Sequence, residues 1–240
     1  MNQITGTDEM MLLGGATGEY ARLAEFAMRI GALASGEDPE LPVWEERLLE
    51  LRRRLLGSRI SAELICPSCA AKVALIFGDD DLPRAPPTVV AQVDGEKLRA
   101  LRLSDVLEVE ARNGVERRLE LLLAQAAGRD VDWAKQVLVG PSRAAAVAAL
   151  EQAVAGLDLQ IGTSCTECGG NIVAPFDVPK FVLTELEAET RRLLDGVHRI
   201  ASSYHWSEAE ILALPRERRQ AYLTRIERDD LRSEIFHGGD

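Results

Sequence analysis

All four cysteines of this chain fall in two Cys-x-x-Cys pairs, Cys66-Pro67-Ser68-Cys69 and Cys165-Thr166-Glu167-Cys168. Four thiolates in this paired spacing are what a tetrahedral zinc ion takes, so any fold of the chain has to bring two distant segments together. Both pairs share one local pattern. Alternating apolar residues (Ile60, Ala62, Leu64) lead to the first pair, and a second apolar run (Val73, Leu75, Phe77) follows it. The second copy reads Leu157, Leu159, Ile161, the pair, Gly169-Gly170, then Ile172, Val173 and Phe176. Period-two alternation on either side of a turn predicts a β-hairpin. Two hairpins whose tips each offer two sulfurs form a zinc-ribbon-like arrangement, split here by the 95 residues between Cys69 and Cys165.

Other uses of these cysteines fit less well. Disulfides need an oxidising compartment, and residues 1–15 show no basic stretch and carry Asp8 and Glu9, unlike a secretory leader. A thioredoxin-like redox pair would account for one Cys-x-x-Cys and leave the other unexplained. Four closed thiolate ligands leave no open coordination position, which makes the expected zinc structural. Its binding, on the order of 10 kcal/mol, exceeds the roughly 4–5 kcal/mol closure cost of a loop near 100 residues. The sequence therefore predicts that Cys66, Cys69, Cys165 and Cys168 hold one Zn2+ that closes the fold.

The 240 residues carry a formal charge of -11, with ten acids against three arginines in the first fifty positions. Such a surface repels phosphate backbones and anionic lipids. This opposes nucleic-acid binding, which depends on clustered Lys and Arg. No apolar run approaches the roughly 18 residues of a membrane span, and the expected location is the cytoplasm.

Around the hairpins the periodicity is helical, and the predicted fold class is α+β with N- and C-terminal helices flanking the split ribbon. Tyr20, Leu23, Ala24, Ala27, Ile30 and Leu33 predict a helix from Gly18 to Ala34, stopped by Ser35-Gly36 and Pro39. After Pro42 a second helix presents Trp44, Leu48, Leu51 and Leu55 on one face, with Arg52, Arg53 and Arg54 in its last turn, where positive charge suits the helix dipole. The glycine-rich stretch from Gly14 to Gly18 lacks the Gly-Lys-Ser/Thr ending and preceding strand of a phosphate loop. These helices occupy 1–57, and the ribbon 58–78 and 157–178.

The insertion, 79–156, opens on Asp79-Asp80-Asp81 and a bend at Pro83, Pro86 and Pro87. Alternation from Thr88 to Val93, the turn Asp94-Gly95, and Leu98, Leu101 and Leu103 predict a strand pair. Ser104 reads as the N-cap of a helix starting at Asp105, which Asn113-Gly114 interrupts. A leucine-rich helix then runs to Gly128, and Pro141 opens an alanine-rich helix from Ser142 to Ala155. In the C-terminal segment, 179–235, Pro179 opens a long helix to about Ser203. Ser207 and Glu210 form a capping box, flanked by Trp206 and Ile211 as a hydrophobic staple. Pro215 starts the last helix, whose Arg216, Arg218 and Arg219 read either as a contact for an acidic partner or, more simply, as a solvated face paired locally with Glu217 and Glu227.

Catalytic patterns are lacking. His198, His205 and His237 have no nucleophile or carboxylate at a motif spacing, and neither His-Glu-x-x-His nor Gly-x-Ser-x-Gly occurs. The acidic triplet Asp79 to Asp81 lacks calcium-loop spacing.

The combination of Cys-Pro-x-Cys at 66–69, the second pair followed by Ala174-Pro175-Phe176-Asp177-Val178, and the stretch from Ile200 to Pro215 (Tyr204-His-Trp206-Ser-Glu-Ala-Glu-Ile-Leu) resembles the T4-type phage baseplate hub assembly chaperones, a family also found beside contractile injection systems. The resemblance runs from about Trp44 to Ile226. The chain departs from the family in its Cys-Thr-Glu-Cys second pair and in the missing glycine after the first. The resemblance implies a non-enzymatic assembly role, with a baseplate hub or spike protein as partner and neither nucleic acid nor membrane. The other functions open at this point are a zinc-ribbon nucleic-acid or transcription accessory module, which salt-dependent binding would reveal, and an enzyme whose site forms only in three dimensions.

Overall fold

A computed structural model of the chain describes residues 4–14, 18–82, 91–110, 112, 114–154 and 159–237. Thr88 to Val90 of the expected strand, the Pro83–Pro87 bend, Gly15 to Thr17, Asn113 and Leu157 lie outside the described residues. The fold is mixed α+β. In chain order its elements are α1 (Gly6–Met10), α2 (Glu19–Arg29), α3 (Leu41–Leu56), β1 (Arg59–Ile65), β2 (Lys72–Gly78), β3 (Ala91–Val93) and β4 (Glu96–Leu98). There follow α4 (Leu103–Glu110), α5 (Val115–Ala127), α6 (Val131–Val139), α7 (Arg143–Val154), β5 (Leu159–Ser164), β6 (Asn171–Phe176), α8 (Val178–Tyr204), α9 (Glu208–Leu212) and α10 (Arg216–His237). The strands pair as three separate antiparallel hairpins, β1-β2, β3-β4 and β5-β6. By contact the chain divides into two units: Met1–Thr17, Arg22–Ser35 and Leu183–Asp240 form one, and Gly18–Ala21 with Gly36–Val182 the other.

The second unit contains all three hairpins. Register places Ile60 opposite Phe77, Ala62 opposite Leu75 and Leu64 opposite Val73, so one face of β1-β2 is apolar, as alternation requires. In β5-β6 the corresponding pairs are Leu159 with Phe176, Ile161 with Ala174 and Thr163 with Ile172. Val173 lies on the opposite face and is exposed. The Asp94-Gly95 turn has the two positive φ values, 49° and 83°, that a type I′ hairpin needs. The return strand stops at Leu98, however, and Leu103 already belongs to α4.

Asp38 explains this early end. Its carboxylate accepts from the Ser104 N–H and hydroxyl, both at 2.9 Å, and Leu41 N–H donates to Leu101 O at 2.9 Å. Asp105 turns back to accept from Arg102 N–H at 2.8 Å, so α4 starts two residues before the expected site and Ser104 is not its N-cap. Through these bonds the insertion shares a core with the start of α3: Leu41 packs in one cluster with Val93, Leu98, Leu123, Leu138 and Leu150. Helix α6 was not expected. Its signals are Asp130, whose side chain accepts from Trp133 N–H as an N-cap should, and the buried spacing of Ala134, Val137 and Leu138.

In the first unit, α2 stops at Arg29 rather than Ala34. Gly31 adopts φ 74° and Ala32 N–H returns to Ala27 O at 2.8 Å, the left-handed closure that glycine permits. The capping box forms as expected, with Ser207 N–H to Glu210 Oε2 at 2.8 Å and Glu210 N–H to Ser207 Oγ at 3.3 Å. Ile211 is fully buried beside Ile200 and Ile226. Trp206 stacks on Tyr204 at 5.3 Å and meets Tyr222 edge-on at 4.9 Å.

The arginines of α10 contradict the sequence expectation. Arg219 is buried and pairs with Glu9, which also accepts from Arg216 at 3.2 Å. Arg216 reaches Glu189 as well. Only Arg218 of that trio is exposed. The acid that recruits Arg219 lies some two hundred residues away in sequence, out of reach of any local pairing rule.

Candidate metal centre

Each Cys-x-x-Cys pair closes a tight turn at a hairpin tip. In the first, Ala70 N–H donates to Cys66 O and Cys66 N–H to Ala71 O, both at 2.9 Å. The second repeats this with Gly169 N–H to Cys165 O at 2.9 Å and Cys165 N–H to Gly170 O at 2.8 Å. The turn needs a left-handed residue straight after the second cysteine. That residue is Ala70, φ 59°, in one tip and Gly169, φ 71°, in the other.

This turn brings the sulfurs together as the spacing predicts. All four Sγ atoms lie within 4.8 Å of one another, and Cys66–Cys168 and Cys69–Cys165 are both 3.7 Å apart. A tetrahedron with Zn–S bonds of about 2.3 Å has edges of about 3.8 Å, whereas a disulfide needs about 2.05 Å. The four cysteines are free thiols, positioned to hold a metal ion and compatible with zinc. Cys66 and Cys165 are buried; Cys69 and Cys168 are exposed. Backbone N–H groups of Cys69 and Ser68 aimed at the Cys66 sulfur hold its thiol down to about 6. The Ala71 N–H draws Cys69 down, but the Cys168 sulfur, burial and the other two sulfurs outweigh it and push Cys69 up to about 12. Cys66 thus favours its thiolate while Cys69 holds its proton, and a divalent cation would displace that proton on binding.

Little else joins the two tips. Beyond Cys66 and Cys165 their shared core is Val73 and Ile172, with Leu64 and Ala71 partly buried against them. At the other end of the hairpins Phe77 meets Phe176 at 6.2 Å, and Phe176 meets Phe181 at 4.7 Å. Arg52 sets the approach to β1 by donating to Gly57 O and to Arg59 O. It is buried rather than an exposed last-turn cation. Its position four residues after the buried Leu48 carried that signal.

The two tips provide a matched backbone test. A Cβ on Gly169 would meet no atom within 4 Å, so Gly169→Ala carries only the left-handed penalty of about 1–2 kcal/mol. Ala70→Gly should stabilise by up to about 1 kcal/mol. Denaturant melts of the metal-loaded variants check both, and a destabilising Ala70→Gly would contradict the turn geometry. Gly170 has a different reason: a Cβ there would crowd Ser68 Oγ at 3.1 Å and Cys168 Sγ at 3.3 Å.

The same unit holds a second perturbed group. Glu45 lines a cavity of about 230 Å³ with Tyr20, Phe176 and Asp177. Burial, reinforced by the Asp177 charge, raises its carboxyl from 4.5 to about 8. Asp177 itself is committed to the start of α8, accepting from Lys180 N–H at 3.0 Å. A carboxyl whose folded pKa lies above its unfolded value binds more protons when folded, so its effect lowers stability as pH rises from about 4.5 through about 8. Glu45→Gln should therefore raise stability at about pH 8 by a few kcal/mol at most, at about 1.4 kcal/mol per pKa unit. It should also flatten the pH slope over that window. Urea melts at about pH 5 and about pH 8 read both, and an unchanged slope would contradict the assignment.

His198 and His205 are exposed. Among the described residues no helix is long and apolar enough to cross a membrane. No family model, curated protein or solved structure matches the chain.

Proposed function

We propose that this chain is a non-enzymatic assembly factor or component for the baseplate hub of a contractile phage tail or injection system. On this proposal it acts in the cytoplasm, and Cys66, Cys69, Cys165 and Cys168 hold one structural zinc. The observation that carries the proposal is the stretch from Tyr204 to Leu214, the most specific part of the family resemblance. It folds as a capping box beside an aromatic trio, in which Tyr204 stacks on Trp206 and both meet Tyr222 edge-on, a preformed surface of the kind that suits a protein partner. The four-sulfur centre supports a structural role because it leaves no coordination position for substrate. The net charge of -11 counts against the nucleic-acid alternative.

The partner face is assigned to the exposed side of the last helix, where Arg218 and Arg225 are among the exposed cations. Arg218→Glu with Arg225→Glu should abolish co-purification with a hub or spike protein encoded alongside, while the thermal transition stays unchanged. Retained co-purification would contradict that assignment. Salt-dependent capture of DNA or RNA at physiological ionic strength would favour the nucleic-acid module instead.

A further inference from the structure

The two halves of the cysteine cluster differ in access: Cys69 and Cys168 are exposed, whereas Cys66 and Cys165 are buried. Each exposed sulfur lies 3.7 Å from a buried one on the opposite hairpin, Cys69 from Cys165 and Cys168 from Cys66. Within the first tip, backbone N–H groups of Cys69 and Ser68 hold the Cys66 sulfur, and that of Ala71 holds the Cys69 sulfur.

We propose that the centre is an oxidation-sensitive fastener whose hairpins stay joined when the metal leaves. The proposal rests on the metal assignment above. The oxidant is hydrogen peroxide. As a ligand of the bound metal Cys69 or Cys168 is a thiolate, and its exposed sulfur attacks one peroxide oxygen, the O–O bond breaks, and a sulfenic acid and hydroxide result. The buried thiolate opposite then attacks that sulfenic sulfur, forms the S–S bond and expels a second hydroxide. Each disulfide consumes one peroxide, two thiolates are oxidised by two electrons in total, and the metal loses two anionic ligands. Completion at both positions yields Cys69–Cys165 and Cys66–Cys168 and releases the cation.

The regiochemistry decides the consequence. Cross-hairpin disulfides retain the long-range closure between segments 96 and 102 residues apart. Disulfides within a Cys-x-x-Cys pair would close only a tight turn and let the hairpins separate. Oxidation through the crossed pairs thus replaces one closure of the same loop by another.

The test uses the full chain, first shown by metal analysis to carry one zinc; a zinc-free chain would overturn the metal assignment rather than this proposal. Peroxide titration with a chromogenic chelator should release zinc at about two peroxides per ion. Peptide mapping without reduction should recover Cys69–Cys165 and Cys66–Cys168, and the oxidised chain should keep a thermal transition that chelator no longer lowers. Disulfides Cys66–Cys69 and Cys165–Cys168, or sulfinic acids without disulfides, would overturn the proposal. In Cys168→Ser, peroxide should give Cys69–Cys165 and leave Cys66 a thiol. Recovery of Cys66–Cys69 would contradict the crossed pairing, and the wild-type map decides the matter if that variant does not fold.

Discussion

Cys165→Ser should abolish metal binding and lower the thermal transition of the hairpin-bearing unit by about 10–20 °C. The tips share a core of only two buried aliphatic side chains, Val73 and Ile172, beside the cysteines. At about 1.5–3 kcal/mol for each fully buried side chain, that core supplies less than the order of 10 kcal/mol expected from four-thiolate coordination. Loss of about 5 kcal/mol or more, at about 2–4 °C per kcal/mol, gives the stated shift. Cys66→Ser should match it, and the double variant should cost little more than either single one, because the ion has already gone. Strong chelators should bring wild type down to the same transition and leave the variants where they are. Additive effects of the two substitutions would mean that the sulfurs act as separate packing residues.

The second large effect lies in the other unit. Arg219→Ala should destabilise by about 3–5 kcal/mol, and Glu9→Ala by a similar amount, whereas Arg218→Ala at the neighbouring exposed position should stay within about 0.5 kcal/mol. The penalty arises from stranding a buried charge. Burial keeps the Glu9 carboxyl above its ordinary range even though Arg219 and Arg216 pull it down, and burial likewise lowers Arg219. The pair is therefore no net source of stability, and Glu9→Leu with Arg219→Met should recover most of what either single change loses. Urea denaturation of the four variants separates these outcomes. A double variant no better than Arg219→Ala would show that the pair itself stabilises the fold.

What was legible in the sequence follows the reach of local physics. Period-two alternation located β1, β2, β5 and β6, and the Cys-x-x-Cys spacing brought the four sulfurs into one cluster. The Ser207–Glu210 box placed α9, because it is satisfied within four residues. Where a distant group intervenes, local signals fall short. Asp38 takes the bonds at Ser104 and moves the start of α4, and Glu9 draws Arg219 inward although its nearest acids in sequence suggested a solvated face. Gly31 ended α2 early by a left-handed closure that looks, in sequence, like any interior glycine. The phenylalanine contacts that hold the far ends of the hairpins join Phe77 to Phe176 across the insertion, and alternation alone named those residues without pairing them.

The account turns on one ion held by sulfurs from both hairpins. X-ray absorption at the zinc edge, on the chain purified without added metal, addresses this directly. The account predicts one zinc per chain with four sulfur neighbours at about 2.3 Å and no nitrogen or oxygen in the coordination shell. A shell of two sulfurs completed by lighter atoms, or a chain isolated without metal and with its thiols reduced, would contradict it.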